Sequence, residues 1–228
     1  MAENYAKADM RNWKDMKTFF EELNEKAEYL ILRNFEEFQE EKVLSEHPDI
    51  DLLCEHPEEI IRITDAAPRG QETDLCHRKV LIGGEEIFLD IRSVGDGYYD
   101  SKWMKEMLTG RKLFQELCYV PSEEDYFYSL LYHGLVQKKE MSADYRKRLA
   151  GLAEPLGISS EEEPQKCLET YMREKGYFYT YPVFPGATCI LNGADRALIR
   201  HDRKRENARA VYRLKKSVKQ LLGKKGNK

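Results

Sequence analysis

The sequence predicts an α+β fold, a small mixed β-sheet with helices followed by a mainly helical C-terminal region, on three observations. In the first hundred or so residues, apolar runs of strand length alternate with amphipathic helical segments. One hairpin stands out, two runs of strand composition joined by Gly83-Gly84. Beyond Asp100 the apolar spacing becomes helical and is punctuated by capping residues. With 41% hydrophobic and 34% charged residues in 228 positions, the chain has the composition of a folded globular protein large enough to bury a substantial core.

Taken in order, Trp13, Met16, Phe19, Phe20 and Leu23 recur at helical spacing and predict an amphipathic helix over 12–25. The run 29–32 suits a buried strand ended by Arg33-Asn34, and a short helical or turn region follows over 35–39. After His47-Pro48, residues 49–54 alternate acid and apolar before turning apolar, as a strand does when one end lies at a site. A helix over 58–65 follows Pro57, then the hairpin strands 76–82 and 85–92, bracketed by the loops Pro68-Arg69-Gly70 and Gly95-Asp96-Gly97.

The helical region opens with Asp100 or Ser101 as a cap and Gly110 as the stop. Ser122 with Asp125 forms a capping box for a helix reaching Lys138. Further helices start near Ser142 and near Ser160 with Glu163, the latter ending at Gly176. Residues 177–190, aromatic and broken by Pro182, Pro185 and Gly186, read as an extended segment or loop. A last helix over 203–222 carries Ala208, Val211, Leu214, Val218 and Leu221 as its apolar stripe. The expected division is an α/β domain over 1–118 and a helical domain over 119–228.

Five widely spaced cysteines without a C-x-x-C argue against a disulfide framework and a cysteine-based zinc site, and read as reduced thiols. No apolar leader and no run of apolar residues long enough to span a bilayer is present, so the expected location is the cytoplasm. Net charge is −4, but from Asp195 onward thirteen lysines and arginines face only Asp195, Asp202 and Glu206. That basic run suits a solvated helix face or a polyanionic partner; nucleic acid is not the favoured partner, since no reading motif accompanies it.

The chemistry gathers at Asp49, Asp51 and Asp90. Asp49 and Asp51 stand two apart on one predicted strand, so both carboxylates emerge on one side, where like charges repel unless a cation lies between them. Magnesium suits this arrangement, because it takes one or two carboxylates with phosphate oxygens and water completing the shell. Asp90 interrupts the apolar run 87–91, and a buried acid needs a partner. Arg92 shares its face; the two fit a structural ion pair with adjacent strands, or an arginine placed to hold a phosphate. Three carboxylates on adjacent strands suit phosphoryl or nucleotidyl transfer, with Asp49 and Asp51 on the metal at the nucleotide phosphates and Asp90 on a second metal and accepting the acceptor-hydroxyl proton.

An apolar strand, a turn, a short helix, a D-x-D strand and a third acid on a later strand together resemble the nucleotidyltransferase superfamily typified by DNA polymerase beta and the small bacterial antibiotic-modifying nucleotidyltransferases. The resemblance covers about 29–99. It implies a nucleotidyltransferase core, two magnesium ions on Asp49, Asp51 and Asp90, and a nucleoside triphosphate such as ATP as donor. The family's glycine-serine turn falls at Arg33-Asn34, a departure in which the arginine charge and the asparagine amide stand as the phosphate donors. The stretches 94–100 and 119–133 also resemble nucleotidyltransferase-like proteins of bacterial surface-polysaccharide contexts, which points to a sugar derivative or other small molecule, or a polymer, as acceptor.

Other residues carry structural readings beside functional ones. His133 lies on a helical stripe with Tyr126, Leu130 and Gln137, His77 to Lys79 open a strand, and Asp96 between two glycines suits a turn. No P-loop, G-x-G-x-x-G, H-E-x-x-H or G-x-S-x-G motif is present. The leading expectation is a magnesium-dependent transferase moving a nucleoside monophosphate to a hydroxyl or phosphate. The alternative is a catalytically degenerate nucleotide- or protein-binding module, regulatory or antitoxin-like.

Overall fold

Asp15 sets the start of the first helix. Its carboxylate accepts from the Thr18 backbone N–H at 2.8 Å, and the Asp15 N–H donates to the Thr18 hydroxyl at 3.3 Å, a reciprocal capping box. In the computed structural model α1 therefore spans Met16–Lys26 and buries Met16, Phe19, Phe20 and Leu23. The helical stripe read over 12–25 begins too early: Asn12 and Trp13 form a short strand, β1 (Asn12–Trp13). Trp13 reaches the core from extended backbone, its indole N–H bonded to the Thr64 carbonyl at 3.2 Å. The structure describes residues 10–38, 49–159, 163–181, 191 and 193–225, with side chains through Val218.

Five further strands complete a mixed sheet: β2 (Tyr29–Ile31), β3 (Asp49–Cys54), β4 (Ala67–Pro68), β5 (His77–Ile82) and β6 (Glu85–Ser93). Their order is β1-β5-β6-β3-β2, with β4 also on β5. The β5–β6 pair is the hairpin read from the sequence, and Gly83 and Gly84, both at positive φ, make its turn. β6 then pairs in parallel with β3, and β2 closes the far side antiparallel to β3. Between β3 and β4, α2 (Pro57–Thr64) starts with proline in its first turn and packs against α1 and β6.

Beyond β6 the chain is mainly helical. α3 (Ser101–Thr109) is followed by a small hairpin, β7 (Lys112–Phe114) and β8 (Cys118–Val120), in which Gln115 and Glu116 both adopt positive φ. The Ser122 hydroxyl accepts from the Asp125 N–H at 3.1 Å and opens α4 (Glu123–Tyr132), whose end relaxes into a π-helical turn, His133–Gln137. α5 (Ala143–Ala153) is capped by Ser142, and α6 (Pro164–Lys175) by Glu163; Ser160 lies outside the described residues. β9 (Tyr179–Tyr181) and β10 (Ile199–His201) pair in parallel, and α7 (Arg203–Lys225) ends the chain's described part. Of the extended segment expected over 177–190, residues 182–190 lie outside the description, as do Gln39 and His47-Pro48.

The chain divides into two compact units, Met1–Val94 with Met104–Tyr126, and Gly95–Trp103 with Phe127–Lys228. The first holds the sheet, flanked by helices. The second is centred on Trp103, which stacks on Tyr177 at 5.2 Å and meets Tyr99, Tyr132 and Tyr171 edge-on or tilted. In the same unit Asp96 accepts from the Tyr98 N–H at 2.7 Å, and His133 is buried against the Tyr98 hydroxyl and Gln137, which gives both residues their structural reading. A cavity of about 620 Å³, lined by Phe127, Leu131, Met141, Leu149 and Cys167, also belongs to it. No helix among the described residues is long and apolar enough to cross a membrane.

Candidate metal centre

Strand register decides which side chains share a face. Asp51 lies opposite Asp90 across β3 and β6, with Asp49 opposite Phe88; His77 lies opposite Asp90 across β6 and β5, with Lys79 opposite Phe88. Alternation then assigns Asp49, Asp51, Phe88, Asp90, Arg92, His77 and Lys79 to one face of the sheet. Ile50, Leu52, Cys54, Ile87, Leu89 and Ile91 take the other, and all six are buried in the core. These apolar positions thus fix one side of the sheet in the core and leave Asp49, Asp51 and Asp90 together on the other.

On that face the three carboxylates converge. One oxygen from each of Asp49, Asp51 and Asp90 lies within 4.8 Å of the others. Asp51 is 2% exposed, whereas Asp49 and Asp90 are half-buried. Burial pushes the Asp51 carboxyl above the ordinary aspartate range; the Arg33 charge opposes this, and the charges of Asp49 and Asp90 reinforce it.

Arginines approach from both sides. Arg33 Nη2 donates to Asp51 Oδ1 at 2.5 Å with both side chains largely buried. The Arg92 charge also favours ionised Asp51, more weakly than that of Arg33. Asn34 is buried at φ 62°, ψ 12° and begins the 3-10 turn Phe35–Glu37. That left-handed backbone favours glycine, and asparagine tolerates it better than most residues. The Arg33-Asn34 turn therefore has glycine-like backbone geometry without glycine.

Sequence reasoning did not single out Arg69. Its Nη1 lies 3.4 Å from Asp90 Oδ1, and its guanidinium carbon sits 3.8 Å from the centroid of the Phe88 ring. The position is set by β4, two residues long and paired with β5 through Pro68 opposite Arg78, and by the Arg69 N–H donating to the His77 carbonyl at 3.1 Å. The only signal in the sequence was a loop arginine one residue after a proline, ahead of the hairpin.

The six site residues expected from the sequence thus fall in one unit. Asp49, Asp51 and Asp90 come together, Arg33 pairs with one of them, Arg92 acts on the same carboxylate by charge, and Asn34 shapes the adjoining turn. Among the described residues this is the one group of three acids close enough together that it could hold a metal ion. Comparison with protein-family models, with curated proteins and with solved structures finds no match to the chain.

Proposed function

We propose that the three-acid face binds a divalent cation, magnesium by the chemistry of its donors, and serves nucleotidyl transfer. The observation that carries this reading is the convergence of Asp49, Asp51 and Asp90 within 4.8 Å, with Asp51 buried and its ionised form disfavoured. An all-oxygen donor set of carboxylates on a half-open face fits a hard cation that keeps some of its ligand positions for phosphate and water.

Asp49, Asp51 and Asp90 would hold the metal, two ions in the two-metal arrangement. When bound, such ions neutralise charge on phosphate oxygens and acidify a nearby hydroxyl. The chain's own groups supply the rest. Arg33, beside Asp51, offers guanidinium donors to the phosphates of a nucleoside triphosphate, and the Asn34 turn lets backbone approach them. Asp90, more open to solvent than Asp51, accepts the proton of the acceptor hydroxyl as that oxygen forms its bond to the α-phosphorus and the bond to the pyrophosphate oxygen breaks. The acceptor is a small molecule, a sugar derivative fitting the resemblance noted above.

The test is direct. Product analysis by mass spectrometry, after incubation with magnesium, the four nucleoside triphosphates and a metabolite extract, is expected to show a nucleotidylated product. Asp49→Asn and Asp51→Asn are each expected to reduce product formation by at least about a hundredfold with the circular dichroism spectrum unchanged. Full activity in either variant contradicts the assignment.

A second reading is favoured by one observation, the short Arg33–Asp51 ion pair, which occupies a carboxylate oxygen a metal would use. In that reading Arg33 replaces the cation and the chain is a catalytically silent binding module. Calorimetric titration with Mg²⁺ separates the two: the transferase reading requires saturable binding that Asp51→Asn abolishes, and the silent module requires none.

A further inference from the structure

Arg69 is anchored on two sides and open on the others. The Phe88 ring lies under its guanidinium and Asp90 faces one nitrogen, but the 3.4 Å separation is long for a charge-assisted pair, which usually closes to about 2.7–2.9 Å. The side chain remains 35% exposed. Among the described residues no other protein group accepts from its remaining donors. The other basic side chains on this flank are engaged: Lys79 with Glu86 at 2.8 Å, and His77 with Asp74 at 2.8 Å. Arg69 is thus held in place beside Asp90 with most of its fork of N–H donors left to a further acceptor.

The topology gives the two arginines different jobs. Along the sheet the acids occupy β3 and β6; Arg33 reaches Asp51 from the β2 side, and Arg69 reaches Asp90 from the side of β4 and β5. A nucleotide whose phosphates lie against the Arg33-Asn34 turn fills the first flank. The second flank, next to the acid that takes the acceptor proton, is left for the acceptor. A neutral acceptor would leave a stacked, oriented guanidinium to water alone, whereas an oxyanion can take two of its N–H groups at once.

We propose that Arg69 forms an oxyanion subsite on the acceptor side of the three acids, so that the hydroxyl acceptor is a molecule that also carries a phosphate or carboxylate group. The inference rests on the transferase reading for the identity of the flank, but the anion site itself is defined by Arg69, Phe88 and Asp90. It also explains the long Arg69–Asp90 contact: the arginine is positioned by Phe88 and is not consumed by the acid.

Ligand-observed NMR on the full chain with Mg²⁺ tests it, using inorganic phosphate, glycerol 3-phosphate, glycerate and glycerol as probes. At least one anionic probe is expected to bind and glycerol is not; binding of glycerol 3-phosphate without glycerate assigns a phosphate, and the converse a carboxylate. Arg69→Gln is expected to weaken the binding anion roughly tenfold to a hundredfold, and Arg69→Lys to recover part of it, since charge remains but the planar fork does not. In the same samples Mn²⁺ affinity, read by electron paramagnetic resonance, is expected to stay within about twofold or tighten in Arg69→Gln. No binding of any anionic probe, equal binding of glycerol, or unchanged anion affinity in Arg69→Gln overturns the proposal. Failure of Mn²⁺ to bind the wild-type chain while the Arg69-dependent anion binding persists overturns the metal reading and leaves the subsite standing.

Discussion

At the scale of single residues, Asp51 is the position where stability and the proposed chemistry pull apart. Burial disfavours its charge more than Arg33 favours it, and Asp49 and Asp90 add repulsion. Its carboxyl therefore titrates above the ordinary aspartate range in the native state. The native chain then holds a proton at pH values where the unfolded chain has released it, so stability falls as pH rises from the ordinary aspartate range through the raised native value, and stays lowered above it. Asp51→Asn removes that charge while its amide oxygen still accepts from Arg33. Without metal at pH 7, the variant is expected to be more stable than wild type by on the order of 1 kcal/mol, about 2–4 °C in Tm for a chain of this size, because it no longer carries the charge that the native state disfavours. The difference should shrink as pH falls through the same window, because wild-type Asp51 then becomes neutral too. Differential scanning calorimetry of both proteins at several pH values checks the sign, and a less stable Asp51→Asn at pH 7 contradicts it. Arg33→Ala acts in the opposite direction, leaving a buried carboxylate without its partner at a cost of about 3 kcal/mol.

At the scale of elements, what was legible followed from how local the signal is. The β5–β6 hairpin could be read because its two glycines and its alternation lie within one short stretch, and the placement of Asp49 and Asp51 on one side of β3 because alternation is intrinsic to a strand. The parallel pairing that sets Asp51 opposite Asp90 could not, since nothing near either residue encodes which strands become neighbours. β1, β4 and the β7–β8 hairpin were missed because two or three residues are too few to display a period, and in β1 the Trp13 side chain also fits the helical stripe of α1. Arg69 was lost with β4, the element that positions it. The apolar stripe of α7 was legible as a pattern, but it is not covered by the described residues: Val211, Leu214 and Val218 are 51%, 66% and 46% exposed. Its first turns are tied down instead, Arg205 bonding the Gly95 carbonyl and filling the space that a Cβ at Gly97 would need. Removing the chain from Val211 onward is accordingly expected to reduce the helical circular dichroism signal while changing stability by less than about 1 kcal/mol, about 2–4 °C in Tm. Loss of cooperative melting in the truncated protein would show that the outer turns of α7 support the fold.

At the scale of the molecule, the division into two units gives the metal reading a test that needs no substrate. The chain has two tryptophans, Trp13 in the unit that contains Asp49, Asp51 and Asp90, and Trp103 in the unit built around the aromatic cluster. Both are buried, so each reports the unfolding of its own surroundings. Trp103→Phe leaves Trp13 as the only indole, and Trp13→Phe leaves Trp103; both changes keep an aromatic ring in place. A cation that binds the native three-acid face and not the unfolded chain stabilises the unit it binds by mass action, about 2.7 kcal/mol at a hundredfold excess over Kd. Urea unfolding with and without Mg²⁺ is therefore expected to shift the Trp13 transition to higher urea and the Trp103 transition less or not at all. The shift should vanish when Asp51→Asn is added to the Trp103→Phe background. Equal shifts at both reporters mean that the two units unfold as one cooperative body, in which case the dependence on Asp51 still locates the cation. No shift at Trp13 at any magnesium concentration removes the metal from the site, and with it the transferase reading.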